Sequence, residues 1–170
     1  MNEDVTLDPK VCAQIDHWVK KYPEDKPRSA AVAALRIVQK HYDGWVSKPL
    51  MKAIADYLGI PPIWVYEIGT FYDMIERKPV GRYKISICTN LSCRLCGAEK
   101  IVDHFKKRLN INLGETTPDH LVTLKGVECL AACANAPMCQ VNDEDYHLNL
   151  TPEKIDDMLR AMGVEVTENA

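Results

Sequence analysis

Residues 88–93 read Cys-Thr-Asn-Leu-Ser-Cys and residues 129–133 read Cys-Leu-Ala-Ala-Cys, and these two cysteine loops decide the fold of the chain. Each loop follows an apolar run typical of a strand, Tyr83 to Ile87 before the first and Leu121 to Leu124 before the second. Two strands that lie side by side and point the same way would bring both loops to one edge of a sheet. We therefore predict that four thiols meet there, where thiolates can bind a metal ion or an iron-sulfur cluster.

Length and composition describe an ordinary globular chain. Its 170 residues are 46% hydrophobic and 26% charged, with a formal net charge of -3, which argues against a nucleic-acid-binding role. The acidic start, Met1 to Val5, is unlike a secretory leader, and no apolar run approaches the roughly 20 residues that span a bilayer. We expect a soluble cytosolic protein or a peripheral subunit. Its seven cysteines should then be reduced unless they bind metal.

The first half of the chain predicts four short helices. They begin after Asp8-Pro9, near Pro27, after Ser47 and at Pro61-Pro62, and the third runs to about Leu58. The apolar stripe of the fourth is formed by Val65, Ile68, Tyr72 and Ile75. A break in pattern at residues 78–81 then separates a helical bundle over 1–78, with a docking or stabilising role, from a second domain over 79–170.

The second half predicts alternating strands and helices. We expect strands at 82–87 and 120–127 around a helix at 98–109, then a hairpin of strands at 138–142 and 146–150, and a last helix that Thr151 caps. A strand-helix-strand unit is parallel and the hairpin adds antiparallel strands, which is the thioredoxin-like layout with a mixed sheet. The fold class is therefore α+β. A cis peptide bond is expected at Ala136-Pro137, just before a strand.

The cysteine spacing leaves several kinds of site open. Structural zinc favours tighter pairs than these, with two residues between the cysteines. Cys93 and Cys96 do have the spacing of a thiol redox pair, but such a pair would leave the other loop cysteines without a role. Inert burial fits Cys12, on a helix, and Cys139, in a strand. Iron-sulfur ligation accounts for the largest share of the cysteines.

Spacing alone permits two iron-sulfur ligand sets. One consists of Cys88, Cys93, Cys96 and Cys129, and the other replaces Cys96 with Cys133. The sequence after Cys96 becomes helical at once, unlike that of plant-type ferredoxins. The second set also explains why Cys133 lies one short loop from Cys129, and we favour it.

The cysteine loops, together with further short stretches, resemble the E-subunit family of bacterial NADH-quinone oxidoreductase, which is respiratory complex I. The matching stretches cover about residues 29 to 160 and include Gly44-Trp45, Tyr57-Leu58-Gly59, Lys78-Pro79-Val80-Gly81 and Asn135-Ala136-Pro137. The chain is also similar to small subunits of NAD-linked hydrogenases and formate dehydrogenases. The resemblance implies a thioredoxin-like domain with one 2Fe-2S cluster, and by motif position it implies the ligands Cys88, Cys93, Cys129 and Cys133.

The resemblance also implies a function for the chain. It would be the electron-transfer subunit of NADH-quinone oxidoreductase, with no turnover of its own, and its cluster would exchange single electrons with the flavin of a partner subunit that carries FMN and NADH. Other partners would be further peripheral-arm subunits on the cytoplasmic side of the inner membrane, with no nucleic acid and no membrane insertion. The alternatives are a small 2Fe-2S subunit of a hydrogenase or formate dehydrogenase, or a stand-alone thioredoxin-like ferredoxin.

Two departures from the family pattern stand out near the predicted cluster. Ala131 takes the place of a usual glycine, and we expect it to have a negative φ because alanine disfavours the left-handed region. Cys96 is not required by the family and would be a substitute ligand or an oxidation-sensitive thiol. The backbone amides of 89–92 and 130–132 are candidate donors to the cluster sulfurs, and Glu99 and Glu128 are nearby anions.

Overall fold

The structure is a computed structural model that describes residues 5–165. Residues 1–4 lie outside this range. They form most of the acidic start that was judged unlike a secretory leader. Contacts divide the chain into two compact units, Met1–Pro79 and Val80–Ala170. None of the helices among the described residues is both long enough and apolar enough to cross a membrane.

The first unit contains helices α1 (Pro9–Val19), α2 (Ala31–His41), α3 (Lys48–Leu58) and α4 (Pro62–Phe71). Capping hydrogen bonds confirm the predicted starts of α1 and α3, and α4 begins at Pro62 as predicted. The Asp8 carboxylate accepts a hydrogen bond from the Lys10 amide at 2.7 Å, and the Ser47 hydroxyl accepts one from the Leu50 amide at 3.3 Å. Gly59 ends α3 with a φ of 64°. A 3-10 turn, Pro27–Ala30, leads into α2.

A single apolar core joins these four helices. Its fully buried members include Val11 and Ile15 of α1, Leu35 and Val38 of α2, Ile54 of α3 and Val65 of α4. Tyr72 and Ile75 were predicted to continue the stripe of α4, but that helix ends at Phe71. The Gln39 side chain explains the difference, because it donates to the Met74 carbonyl at 3.0 Å and accepts from the Glu76 amide at 2.7 Å. These bonds hold the segment after α4 in a non-helical path.

The second unit is built on a four-stranded mixed sheet. Its strands are β1 (Tyr83–Cys88), β2 (Val122–Val127), β3 (Cys139–Val141) and β4 (Asp145–His147), in the order β2-β1-β3-β4. β1 and β2 are parallel, and the other two pairs are antiparallel. The predicted strand-helix-strand unit with an antiparallel hairpin is confirmed.

Three of the strands are shorter than predicted, for local reasons. β2 starts two residues after the predicted His120, because that residue lies in a turn with a φ of 56° and its amide donates to the Thr117 carbonyl at 2.8 Å. β4 ends at His147 instead of continuing to residue 150. Beyond it, the amide of Leu150 donates to the Pro137 carbonyl at 2.8 Å, so the chain leaves the sheet. β3 spans only Cys139–Val141, one residue shorter at each end than the predicted strand at 138–142.

Helices α5 (Leu91–Leu95), α6 (Ala98–Leu109) and α7 (Pro152–Ala161) complete the second unit. Phe105 of α6 and Leu159 of α7 share a fully buried core with Ile85, Ile87 and Leu124 of the sheet. The Asp156 carboxylate of α7 accepts two hydrogen bonds from Arg108 of α6, at 2.9 and 2.7 Å. This packing fixes the frame from which the cysteine loops extend.

Candidate functional site

The carboxyl ends of β1 and β2 bring the two cysteine loops to one edge of the sheet. Cys88 is the last residue of β1 and lies opposite Val127, the last residue of β2, in parallel register. Cys129 follows two residues later. Parallel pairing places both loop entrances at the same end, as the sequence predicted.

The first loop contains a helix that the sequence analysis missed. The Asn90 side chain accepts a hydrogen bond from the Leu91 amide at 2.8 Å and caps the five-residue helix α5. On this helix Cys93 faces inward with 2% of its surface exposed, beside Cys88 with 3% exposed. Asparagine ahead of Leu91 was the one local signal for such a helix.

The second loop is more open and carries an unusual backbone. Cys129 and Cys133 are exposed, and Cys133 starts a 3-10 turn that ends at Asn135. The predicted cis peptide bond at Ala136-Pro137 is confirmed. The negative φ expected for Ala131 is wrong, since its φ is 58°. The Ala131 amide donates to the Cys129 sulfur, 3.3 Å away.

Replacing Ala131 with glycine should stabilise the protein. Alanine in the left-handed region costs about 1–2 kcal/mol, whereas glycine adopts it freely. Against this, the greater freedom of glycine in the unfolded chain costs up to about 1 kcal/mol. We expect Ala131→Gly to raise the midpoint of thermal unfolding by roughly 1–4 °C. A fall in the midpoint would show that the strain is not relieved.

Neighbouring thiols affect the pKa values of Cys88 and Cys93. Burial raises the pKa of the Cys88 thiol, but hydrogen bonds from the Asn90 and Leu130 amides and from Cys93 and Cys129 outweigh it, so this pKa is lowered. Burial, then Cys88, raises the pKa of Cys93 to about 11, and the charge of Cys133 acts in the same direction. Cys88 thus lies beside Cys93 and Cys129, and Cys133 is near enough to Cys93 for its charge to act there.

The four predicted ligands come as two cysteines from each loop. Within residues 5–165, no three His, Cys, Asp or Glu side chains are grouped closely enough to hold a single metal ion. A 2Fe-2S cluster with four cysteines requires two thiolates on each iron. The donor set, two thiols from each of two neighbouring loops, fits that requirement.

Backbone amides supply the hydrogen bonds predicted around the sulfurs. The amides of Asn90 and Leu130 donate to Cys88, and that of Ala131 donates to Cys129. The Met138 amide, which was not predicted, donates to Cys93. The nearby Glu99 carboxylate pairs with Arg94 at 2.6 Å, which offsets its negative charge.

The remaining cysteines differ in their exposure. Cys96 is exposed at the end of α5. Cys139 is fully buried in β3, where burial raises its pKa to about 12, as suits an inert core thiol. Cys12 is half-buried on α1 in the first unit.

The chain is similar to known proteins over most of its length. The family model described as Thioredoxin-like [2Fe-2S] ferredoxin matches residues 15–163. The chain is 43% identical over 148 residues to the NADH-quinone oxidoreductase subunit named E 2 of Rhizobium meliloti (strain 1021), covering 87% of this chain and 86% of that protein. It is 40% identical over 159 residues to the NADH-quinone oxidoreductase E subunit of Rickettsia felis, covering 94% and 95% of the two chains.

A solved structure shares the fold at low sequence identity. The NAD+-reducing [NiFe]-hydrogenase in its H2-reduced state superposes with a TM-score of 0.68 at 18% identity. The match covers 81% of this chain and 22% of the hydrogenase chain. At this identity the likeness concerns the fold alone.

Proposed function

This chain belongs to the family of thioredoxin-like 2Fe-2S ferredoxins, and from that premise we propose that it is the electron-transfer subunit of an NADH-quinone oxidoreductase. One 2Fe-2S cluster would be held by Cys88, Cys93, Cys129 and Cys133. The observation that supports the proposal is that two parallel strands lead into the two cysteine loops at one edge of the sheet, with Cys88 beside Cys93 and Cys129.

Residues of this chain would bind the cluster and donate hydrogen bonds to its ligand sulfurs. When bound, a 2Fe-2S cluster supplies one-electron transfer. Cys88 and Cys93 would hold it from the buried side, and Cys129 and Cys133 from the exposed side. The amides of Asn90, Leu130 and Ala131 donate to ligand sulfurs and so favour the reduced state.

A partner subunit would supply the chemistry that this chain does not carry. NADH gives up two electrons as hydride, so a flavin is needed before a one-electron carrier. The sequence contains no Gly-x-Gly-x-x-Gly motif after a strand. We therefore place FMN and NADH on a partner, with the complex on the cytoplasmic side of the membrane and this chain as a peripheral subunit in contact with others of the peripheral arm.

The helical unit over 1–78 is proposed as a four-helix bundle that docks to a partner as well as stabilising the chain. Its helix α4 supports a docking role, because it carries large apolar side chains that stay exposed. These are Ile63, Trp64, Tyr66 and, at its end, Phe71. Exposed apolar clusters of this kind mark interaction surfaces.

A second exposed apolar surface, formed by two leucines of α5, lies beside the cysteine loops. Leu91 and Leu95 are one helical turn apart on α5 and are 67% and 80% exposed, while Cys93 between them faces inward. A flavin-bearing subunit must approach the cluster to exchange electrons with it. We propose that this subunit covers the leucine pair.

Replacing Leu91 and Leu95 together with serine should weaken association with the flavin-bearing subunit. Full burial of one leucine contributes about 1.5–3 kcal/mol, so the dissociation constant should rise roughly tenfold or more. Lys107→Ser, on the exposed far end of α6, is the matched control and should leave binding unchanged. Titration calorimetry measures the effect, and equal binding by both variants would remove the leucine pair from the interface.

Purification of the chain with its native partners tests the proposed function. We expect a red-brown complex that contains flavin and, for this chain, two irons and two sulfides, with a spin one-half electron paramagnetic resonance (EPR) signal on reduction. A colourless chain with one zinc would contradict the proposal. A hydrogenase or formate dehydrogenase as the co-purified partner would change the host complex and leave the cluster in place.

A further inference from the structure

Tyr146 connects the edge of the sheet to the second cysteine loop. This residue lies on β4, where it pairs with Gln140 of β3, and its side chain is 49% exposed. Its hydroxyl donates a hydrogen bond to the Leu130 carbonyl at 3.3 Å. The tyrosine therefore reaches a backbone group between two proposed ligands without contacting a sulfur itself.

The Leu130 carbonyl, which accepts the hydrogen bond from Tyr146, belongs to the same peptide group as the Ala131 amide, which donates to a cysteine sulfur. The Leu130 carbonyl and the Ala131 amide are the two ends of one planar unit. That amide donates to the Cys129 sulfur at 3.3 Å. The hydroxyl, the peptide group and the sulfur thus form one continuous chain of hydrogen bonds, in which each bond polarises the next.

The backbone of Ala131 has a conformation that is unfavourable for alanine. Ala131 has a φ of 58°, and its amide donates to the Cys129 sulfur. A strained turn persists only where surrounding contacts hold it. The Tyr146 hydroxyl is such a contact, because it fixes the opposite end of the rotated peptide group.

We propose that Tyr146 is a positioning residue that raises the reduction potential of the cluster through the Leu130–Ala131 peptide group. This inference rests on the proposed 2Fe-2S function. One-electron reduction adds one negative charge with no bond made or broken, and a donor to a ligand sulfur stabilises that added charge. A hydroxyl that orients and polarises the donor strengthens its effect.

The test compares two tyrosine-to-phenylalanine variants of the complete, cluster-loaded chain. Tyr146→Phe removes only the hydroxyl, and the midpoint potential, measured by EPR-monitored redox titration, should shift to a more negative value. Tyr83→Phe makes the same change at the opposite end of β1 from Cys88 and should leave the potential unchanged. Resonance Raman spectra should also show that Tyr146→Phe weakens the deuterium sensitivity of the iron-sulfur stretching bands.

A second replacement tests the sign of the effect and does not depend on Tyr146→Phe folding well. Site-specific 3-fluorotyrosine at position 146 keeps the ring and makes the hydroxyl a stronger donor, so at neutral pH the potential should shift to a more positive value. An unchanged potential in both variants, shifts of the same sign, or an equal shift in Tyr83→Phe would overturn the inference. A wild-type chain without a 2Fe-2S signal would instead overturn the proposed function.

Discussion

A chain with Cys133→Ser is expected to lose its 2Fe-2S cluster, whereas a chain with Cys96→Ser is expected to keep it. Serine oxygen is a harder ligand than thiolate sulfur and a poor substitute for it in an iron-sulfur cluster. Loss of an outer contact alone lowers metal affinity by about tenfold or more, so loss of a ligand should lower it further. Iron and sulfide content and the visible absorption of the purified chain measure the outcome.

The contrast between these two cysteines depends on their positions in the structure. Cys133 acts on Cys93 through its charge, while Cys96 is exposed at the end of α5. Cys139→Ser is a further control, because that thiol is buried in β3. A normal cluster in Cys133→Ser together with its loss in Cys96→Ser would establish the plant-type ligand set instead.

Features fixed by neighbouring residues could be predicted from the sequence. The caps at Asp8, Ser47 and Thr151 were predicted because each depends on a side chain that bonds an amide two or three residues ahead. The parallel pairing of β1 and β2 was predicted because a crossover helix joins two apolar strands. The family resemblance then added the ligand set, which spacing alone had left open.

Features that depend on distant contacts escaped prediction. Helix α5 is too short for an apolar period to reveal it. The end of α4 depends on the side-chain amide of Gln39, more than thirty residues earlier in the chain, whose bonds to Met74 and Glu76 span 35 and 37 positions. The Leu130 carbonyl, next to the positive φ of Ala131, accepts a hydrogen bond from Tyr146, sixteen positions later. No local pattern in the sequence contains these pairs.

Gly81 was predicted only as part of a break in the sequence pattern. In the structure, close contacts restrict this position to glycine. It lies just before β1, and its amide donates to the Thr123 hydroxyl of β2 at 2.6 Å. A Cβ atom at this position would lie 2.8 Å from the Val122 backbone nitrogen and carbonyl carbon. Those atoms belong to a paired strand and cannot move aside as the tip of a side chain could. The close approach of the two backbones therefore requires glycine.

Gly81→Ala should destabilise the protein by about 3 kcal/mol, because the added methyl group overpacks a backbone contact. For a chain of this length that corresponds to a fall of roughly 6–12 °C in the thermal midpoint, which calorimetry of the cluster-loaded protein would measure. Gly69→Ala is the matched control, since its Cβ would meet the flexible Met51 methyl group at 2.9 Å. Alanine also favours the helix there by about 1 kcal/mol. Equal midpoints for the two variants would show that β2 yields to the methyl group, and the steric account of Gly81 would then be wrong.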